Sequence, residues 1–174
     1  MKVCPRSPSL FGNNDTNRCV HYSGCPNNSF ADNSSRLCVS KCPKYPDTYG
    51  DHTTRRCVAT CPSPDLFADP FSQECVTRCP DGTYAENDTR RCMPICPPYK
   101  VNYADNLTNK CVSRCPASES TYGDNSTQRC VLQCPDNPFT YADNMTRICL
   151  RICNNVTTNT TKGGYAENRT RVCV

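Results

Sequence analysis

The chain has 174 residues, and 18 of them are cysteine, a density that marks a disulfide or metal scaffold. Leu, Ile, Val and Phe together number only 25 and Trp is absent. One large core built from so little cannot offset an ordering entropy of ~1–2 kcal/mol per residue, so a Rossmann domain, a helical bundle or an ordinary compact enzyme is excluded.

The net charge is +4, from 20 basic and 16 acidic residues spread along the chain, with no like-charged run longer than the pairs Arg55-Arg56 and Arg90-Arg91. That leaves no basic patch for a nucleic acid. Structural zinc favours Cys-x2-Cys knuckles or Cys/His mixtures; here the short spacing is Cys-x3-Cys and the only histidines are His21 and His52. No metal or other cofactor is expected. An even cysteine count at regular spacing reads as a disulfide framework in an oxidising compartment, so the chain is expected to be secreted or at the cell surface. No apolar stretch approaches the ~20 residues of a membrane-spanning helix. Met1-Lys2-Val3 runs straight into Cys4 without a signal peptide, so a mature portion of an exported chain is expected.

Along the chain one unit recurs: Cys-Pro, a variable segment, an aromatic, Ala or Gly, Asp or Glu, Asn, any residue, Thr, two residues, Cys, then three residues to the next Cys. Module 1 (4–24) sets Phe11 before Cys19, module 2 (25–41) Phe30 before Cys38, and module 3 (42–60) Tyr49 before Cys57. Module 4 (61–78) sets Phe67 before Cys75, module 5 (79–95) Tyr84 before Cys92, and module 6 (96–114) Tyr103 before Cys111. Module 7 (115–133) sets Tyr122 before Cys130, module 8 (134–152) Tyr141 before Cys149, and module 9 (153–174), with a long insert, Tyr165 before Cys173. The aromatic always lies eight residues before the cysteine, whereas the segment before it varies from four residues after Cys25 to eleven after Cys153. A fixed spacing implies backbone paired in register, and a floating one a surface loop. Asp-Asn-x-Thr, dense in turn formers, separates two short extended pieces. Each module therefore reads as a β-hairpin with its aromatic and second cysteine on the packed side. The expected fold is small, disulfide-rich, mostly hairpin and loop, with no large core and little or no helix: an elongated rod of nine modules.

Three disulfide schemes fit the spacing. Closing each unit on itself gives Cys4–Cys19, Cys25–Cys38, Cys42–Cys57, Cys61–Cys75, Cys79–Cys92, Cys96–Cys111, Cys115–Cys130, Cys134–Cys149 and Cys153–Cys173, each loop worth roughly 3 kcal/mol in the chain-entropy model. Pairing across each Cys-x3-Cys leaves Cys4 and Cys173 over, for bonds to neighbouring subunits. A crossed pattern handles cysteines in fours and leaves two.

The runs Arg91-Cys92-Met93-Pro94-Ile95-Cys96-Pro97 and Lys110-Cys111-Val112-Ser113-Arg114-Cys115-Pro116 resemble the furin-like cysteine-rich repeats of growth-factor-receptor ectodomains. They are closer still to tandem Cys-rich repeats in surface glycoproteins of ciliates and other protists. The resemblance covers nearly the whole chain and implies modules with one self-closing disulfide, stacked end to end as rods. Two departures stand out: five residues rather than three between Cys19 and Cys25, and Asn154 in place of Pro after Cys153, followed by the insert.

Asn-x-Ser/Thr sequons occur at Asn14, Asn27, Asn33, Asn87, Asn106, Asn125, Asn144, Asn155, Asn159 and Asn168. Seven lie three residues after the aromatic, at the expected turn, and covalent N-linked glycans are expected there. His52 and Pro70 occupy that slot in modules 3 and 4, while Asn155 and Asn159 lie in the insert. Repeated acids such as Asp105, Asp124 and Asp143 read as turn residues rather than calcium ligands, since calcium wants six to eight oxygens. Arg91 and Arg129 could stack on the repeat's tyrosine, but a solvated position is the simpler reading. Arg55-Arg56 and Arg90-Arg91 fall inside the hairpin and do not read as processing sites. His21 and His52 have no nucleophile or carboxylate repeated with them, and no catalytic grouping can be assembled.

The expected function is that of a structural extracellular glycoprotein, a glycan-coated rod forming or belonging to a surface fibril. Its partners would be copies of itself, or a continuation of the same array, head to tail. The alternative is the ectodomain or stalk of a receptor, adhesin or surface antigen that binds a protein or glycan partner through the sugar-free modules 3 and 4.

Overall fold

The computed structural model describes residues 4–5, 9–98, 102–153, 166–167 and 169–173. Its strands are short and come two to a module. They are β1 (Phe11–Asn13), β2 (Arg18–Val20), β3 (Phe30–Asp32), β4 (Leu37–Val39), β5 (Tyr49–Asp51), β6 (Arg56–Val58), β7 (Phe67–Asp69), β8 (Glu74–Val76) and β9 (Tyr84–Glu86). The second half continues with β10 (Arg91–Met93), β11 (Tyr103–Asp105), β12 (Lys110–Val112), β13 (Tyr122–Asp124), β14 (Arg129–Val131), β15 (Tyr141–Asp143), β16 (Ile148–Leu150), β17 (Ala166–Glu167) and β18 (Val172–Cys173). Helix is nearly absent from the described residues: a single 3-10 turn, Tyr22–Gly24, takes up the longer spacer between Cys19 and Cys25. Among the described residues no helix is long and apolar enough to cross a membrane.

The cysteines pair within modules, Cys4–Cys19, Cys25–Cys38, Cys42–Cys57, Cys61–Cys75, Cys79–Cys92, Cys96–Cys111, Cys115–Cys130, Cys134–Cys149 and Cys153–Cys173. Residues 154–165, which hold the insert and Tyr165, lie outside the described residues.

One register repeats from hairpin to hairpin. In the first, Phe11 faces Val20, Gly12 faces Cys19 and Asn13 faces Arg18; β3–β4, β5–β6, β7–β8, β11–β12, β13–β14 and β15–β16 follow suit. Opposed residues share a face and successive ones alternate. The aromatic and the second cysteine of one hairpin therefore point to opposite faces, which corrects the expectation that both sit on one packed side. Each of these hairpins has an aromatic face and a disulfide face.

This two-faced hairpin explains the packing. The chain divides into two compact units, Met1–Pro80 with Ala85–Cys92, and Asp81–Tyr84 with Met93–Val174, and the boundary falls within the fifth hairpin. In the first unit a single parallel bridge joins each hairpin to the next, at Gly12–Leu37, Ala31–Arg56, Gly50–Glu74 and Ala68–Arg91. The aromatic of one module then covers the cystine and small residue of its successor. Phe11 lies on Cys25 and Ala31, Phe30 on Cys42 and Cys57, Tyr49 on Cys61, Cys75 and Ala68, and Phe67 on Cys79, Cys92 and Ala85.

In the second unit the bridges are Ala104–Arg129, Gly123–Ile148 and Ala142–Val172. There Tyr84 covers Cys96, Cys111 and Ala104, and Tyr122 packs with Cys134, Cys149 and Ala142. No large core exists among the described residues; each small one lies between consecutive modules. The residue after the aromatic is small because the ring of the preceding module sits on it. A Cβ on Gly50 would lie 2.5 Å from the Phe30 ring, and one on Gly123 would lie 2.4 Å from Tyr103.

Candidate glycan-bearing turns and module interfaces

From module 2 on, the turn is built by the acidic residue that ends the first strand; in module 1 Asn13 takes that place and accepts the Asp15 N–H at 2.9 Å. The carboxylate is nearly buried in modules 2 to 7 and accepts the backbone N–H groups two and three residues on, as an Asx turn does. Asp51 accepts from the N–H groups of Thr53 and Thr54, each at 3.1 Å, and from the Thr54 hydroxyl at 2.5 Å. Glu86 accepts from Asp88 N at 3.1 Å, Thr89 N at 2.7 Å and the Thr89 hydroxyl at 2.8 Å. Asp105, Asp124 and Asp143 treat Thr108, Thr127 and Thr146 alike. The acids are thus turn residues. For Asp32 and Asp124 burial opposes ionisation, but the serine and threonine donors outweigh it and hold both carboxyls below the usual 3.8.

The turn closes through a left-handed residue two positions before the second cysteine. Asn17, Arg36, Arg55, Gln73, Arg90, Asn109, Gln128, Arg147 and Arg171 all have φ between 53° and 62°. That conformation costs a non-glycine residue roughly 1–2 kcal/mol, and the position repays it by stitching modules together. Its carbonyl accepts the N–H of the small residue in the preceding module: Arg36 from Gly12 at 2.8 Å, Arg55 from Ala31 at 2.9 Å, Gln128 from Ala104 at 2.8 Å. Where the residue is arginine, its guanidinium reaches back to carbonyls of the preceding loop. Arg55 donates to Cys25 and Pro26 at 2.7 and 2.5 Å, Arg90 to Ser63 and, at 2.7 Å, Leu66, and Arg171 to Cys134 and Pro135 at 2.7 and 2.8 Å. The same groups lie over aromatic rings, Arg36 on Phe11 at 4.8 Å and Arg147 on Tyr122 at 4.2 Å.

The next arginine along is not simply solvated either. Arg91 lies 5.4 Å from the Tyr49 ring and Arg129 lies 5.9 Å from that of Tyr84, two modules back. Arg91, 44% exposed, also pairs with Asp47. Asp47 accepts from the Tyr49 phenol at 2.7 Å; burial, with Asp47 beside it, pushes that phenol up to about 12.

The sequon asparagines Asn14, Asn33, Asn87, Asn106, Asn125 and Asn144 all occupy exposed turn positions, and Asn27 is exposed in the loop of module 2. Asn155, Asn159 and Asn168 lie outside the described residues. The hydroxyl of a phased sequon has a structural duty of its own, since Thr54 serves Asp51 in a module whose sequon slot is His52. Spacing alone therefore does not separate a sugar site from a turn. The asparagines themselves divide. Asn106, Asn125 and Asn144 each accept a hydrogen bond at 2.6 Å from Tyr84, Tyr103 and Tyr122 of the preceding module. Asn33 and Asn87 follow modules whose aromatic is Phe11 or Phe67, and no phenol of those modules exists to reach them.

In modules 3 and 4 other contacts fill the slot. His52 packs edge-on against Phe30, with ring centroids 5.0 Å apart, and meets Glu74 at 3.1 Å, a carboxylate that sequence reading did not pair with it. Tyr45, 93% exposed, and Phe71, 66% exposed, also belong to these two modules.

No family model matches the chain, nor does any curated protein or solved structure. The chain is a tandem array of nine disulfide-bonded, strand-rich modules. Nine disulfides in a chain of this size fit an oxidising, extracellular environment.

Proposed function

We propose that this chain is a non-catalytic structural component of an extracellular fibril or filament, of the furin-like repeat type, with N-linked glycans at its turns and copies of itself as head-to-tail partners. One observation carries the assembly part of the reading. In modules 2 to 6 and in module 8 the cystine is covered by the aromatic of the module before, and a Cβ on Gly123 of module 7 would strike the Tyr103 ring. In module 1 the corresponding face is a cleft of about 300 Å³ lined by the Cys4–Cys19 cystine, Gly12, Asn13, Asn14, Asn17 and Arg18, with no aromatic among the described lining residues. A second copy, or further repeats of the same kind, would supply the missing ring. An interface of this sort is heterologous and open, and so extends without closing.

Glycosylation is supported by Asn33 and Asn87. They are exposed at turns, and no described hydrogen bond of their side-chain amides requires asparagine there. Peptide mass spectrometry of the secreted chain, with and without glycan removal, should find sugar at the phased sequons, and unmodified asparagines would remove the glycan part. Electron microscopy of the same material should show extended polymers; monodisperse single copies would sink the fibril part.

A second reading, a receptor stalk or adhesin, is favoured by one feature. Exposed Tyr45 and Phe71 fall in the two modules without a phased sequon. Loss of partner capture on changing both to Ser, with polymers intact, would favour it.

A further inference from the structure

The hydrogen bonds from Tyr84 to Asn106, from Tyr103 to Asn125 and from Tyr122 to Asn144 repeat one geometry three times, each spanning 22 residues at 2.6 Å. In each the phenol is the donor and the carboxamide oxygen Oδ1 the acceptor, so the bond leaves Nδ2, the atom to which an N-linked sugar attaches, unused. An asparagine χ2 is a broad, roughly two-fold torsion, and an exposed side chain left alone swings through it. Because the carboxamide is planar, fixing Oδ1 also fixes the direction of Nδ2.

The phenols are well placed to do this. Tyr84 is 2% exposed and Tyr103 is 0% exposed, and their rings are held on the next module's cystine or small residue. Burial, with the Asp124 charge nearby, raises the Tyr103 phenol, which therefore stays protonated and donating.

We propose that Tyr84, Tyr103 and Tyr122 are positioning residues for the next module's sequon, clamping the carboxamides of Asn106, Asn125 and Asn144 so that their glycans leave successive turns in one fixed direction. The sugar half rests on the glycoprotein reading above; the clamp rests on the hydrogen bonds alone. Asn33 and Asn87, which follow phenylalanines, are built-in controls without a clamp. The device deepens the role of the repeat: the ring that packs one module on the next also aims what the next module carries.

The test is ¹⁵N relaxation of the Asn Nδ2 groups, read in the secreted chain and in the chain made with N-glycosylation blocked, each with and without Tyr103→Phe. That substitution removes one hydroxyl and keeps the ring on Gly123, so the fold is retained. In the parent chain the order parameters of Asn106 and Asn125 should approach the ~0.85 of rigid backbone, while Asn33 and Asn87 fall below ~0.6. Tyr103→Phe should move Asn125 into the mobile class and leave Asn106 unchanged. Equal mobility at Asn125 and Asn87, or an Asn125 signal indifferent to Tyr103→Phe, would overturn the clamp. Asparagines found unmodified in the secreted chain would overturn the sugar half only, because the chain with glycosylation blocked still reads the clamp.

Discussion

At the scale of single residues the turn depends on the carboxylate. Asp124 accepts the Ser126 N–H at 2.9 Å and the Thr127 hydroxyl at 2.6 Å, and a hydrogen bond to a charged group is worth ~1.5–3 kcal/mol. Asp124→Asn keeps one acceptor but loses the charge, and should destabilise the turn by about 1–2 kcal/mol, read from hydrogen exchange of the Ser126 and Thr127 amides. The folded pKa of this carboxyl lies below 3.8, so the sign of the pH effect is set. The stability it contributes is complete above the ordinary carboxylate value and is lost as pH falls through the lower folded one. Acid should therefore open the turn amides in the parent chain, whereas in Asp124→Asn their exchange should respond less to acid. Equal acid sensitivity in both would contradict this account of the turn.

At the scale of the hairpin, the step from aromatic to small residue to acid divides labour between two faces. The aromatic points to the following module, the small residue and cysteine receive the ring of the preceding one, and the acid closes the turn. Gly123→Ala tests the receiving face, since the new Cβ would fall 2.4 Å from the Tyr103 ring and the ring is buried too firmly to swing away. Overpacking of this kind costs typically 1–3 kcal/mol. Thermal unfolding should show that loss, and a neutral result would mean the modules are packed more loosely than described.

The hairpin was legible in the sequence because its eight-residue spacing never varies. The partner of each aromatic was not. A strict repeat gives the same signal whether a ring covers its own disulfide or its neighbour's, and only the alternation of faces in the paired strands decides. The left-handed arginines were hidden for a different reason. Arg36, Arg55 and Arg90 look like any surface cation beside a turn, and their reach to carbonyls of the previous module depends on φ, which composition does not reveal. Asn106 and Asn33 look identical as sequons; what separates them is Tyr84 against Phe11, one module earlier.

For the whole molecule, cores that lie between modules make stability a sum over neighbours, as in other serial repeats. Removing one disulfide tests that directly. The Cys115–Cys130 bond closes a separation of 15 residues, worth ~3 kcal/mol in the chain-entropy model. The double change Cys115→Ala with Cys130→Ala removes it without leaving a free thiol. Module 7 loses its closure, the Gly123 strand on which the Tyr103 ring sits is loosened, and Tyr122 is no longer held over Cys134 and Ala142. Peptide-level hydrogen exchange should then show lost protection in β11, β13, β14 and β15, with β3 to β8 unchanged. Loss spread evenly over all nine modules would mean that the chain unfolds as one cooperative body, and the neighbour-by-neighbour account would fail. A local loss would have a further consequence, because an array whose modules answer only to their neighbours can lengthen without altering the modules already in place.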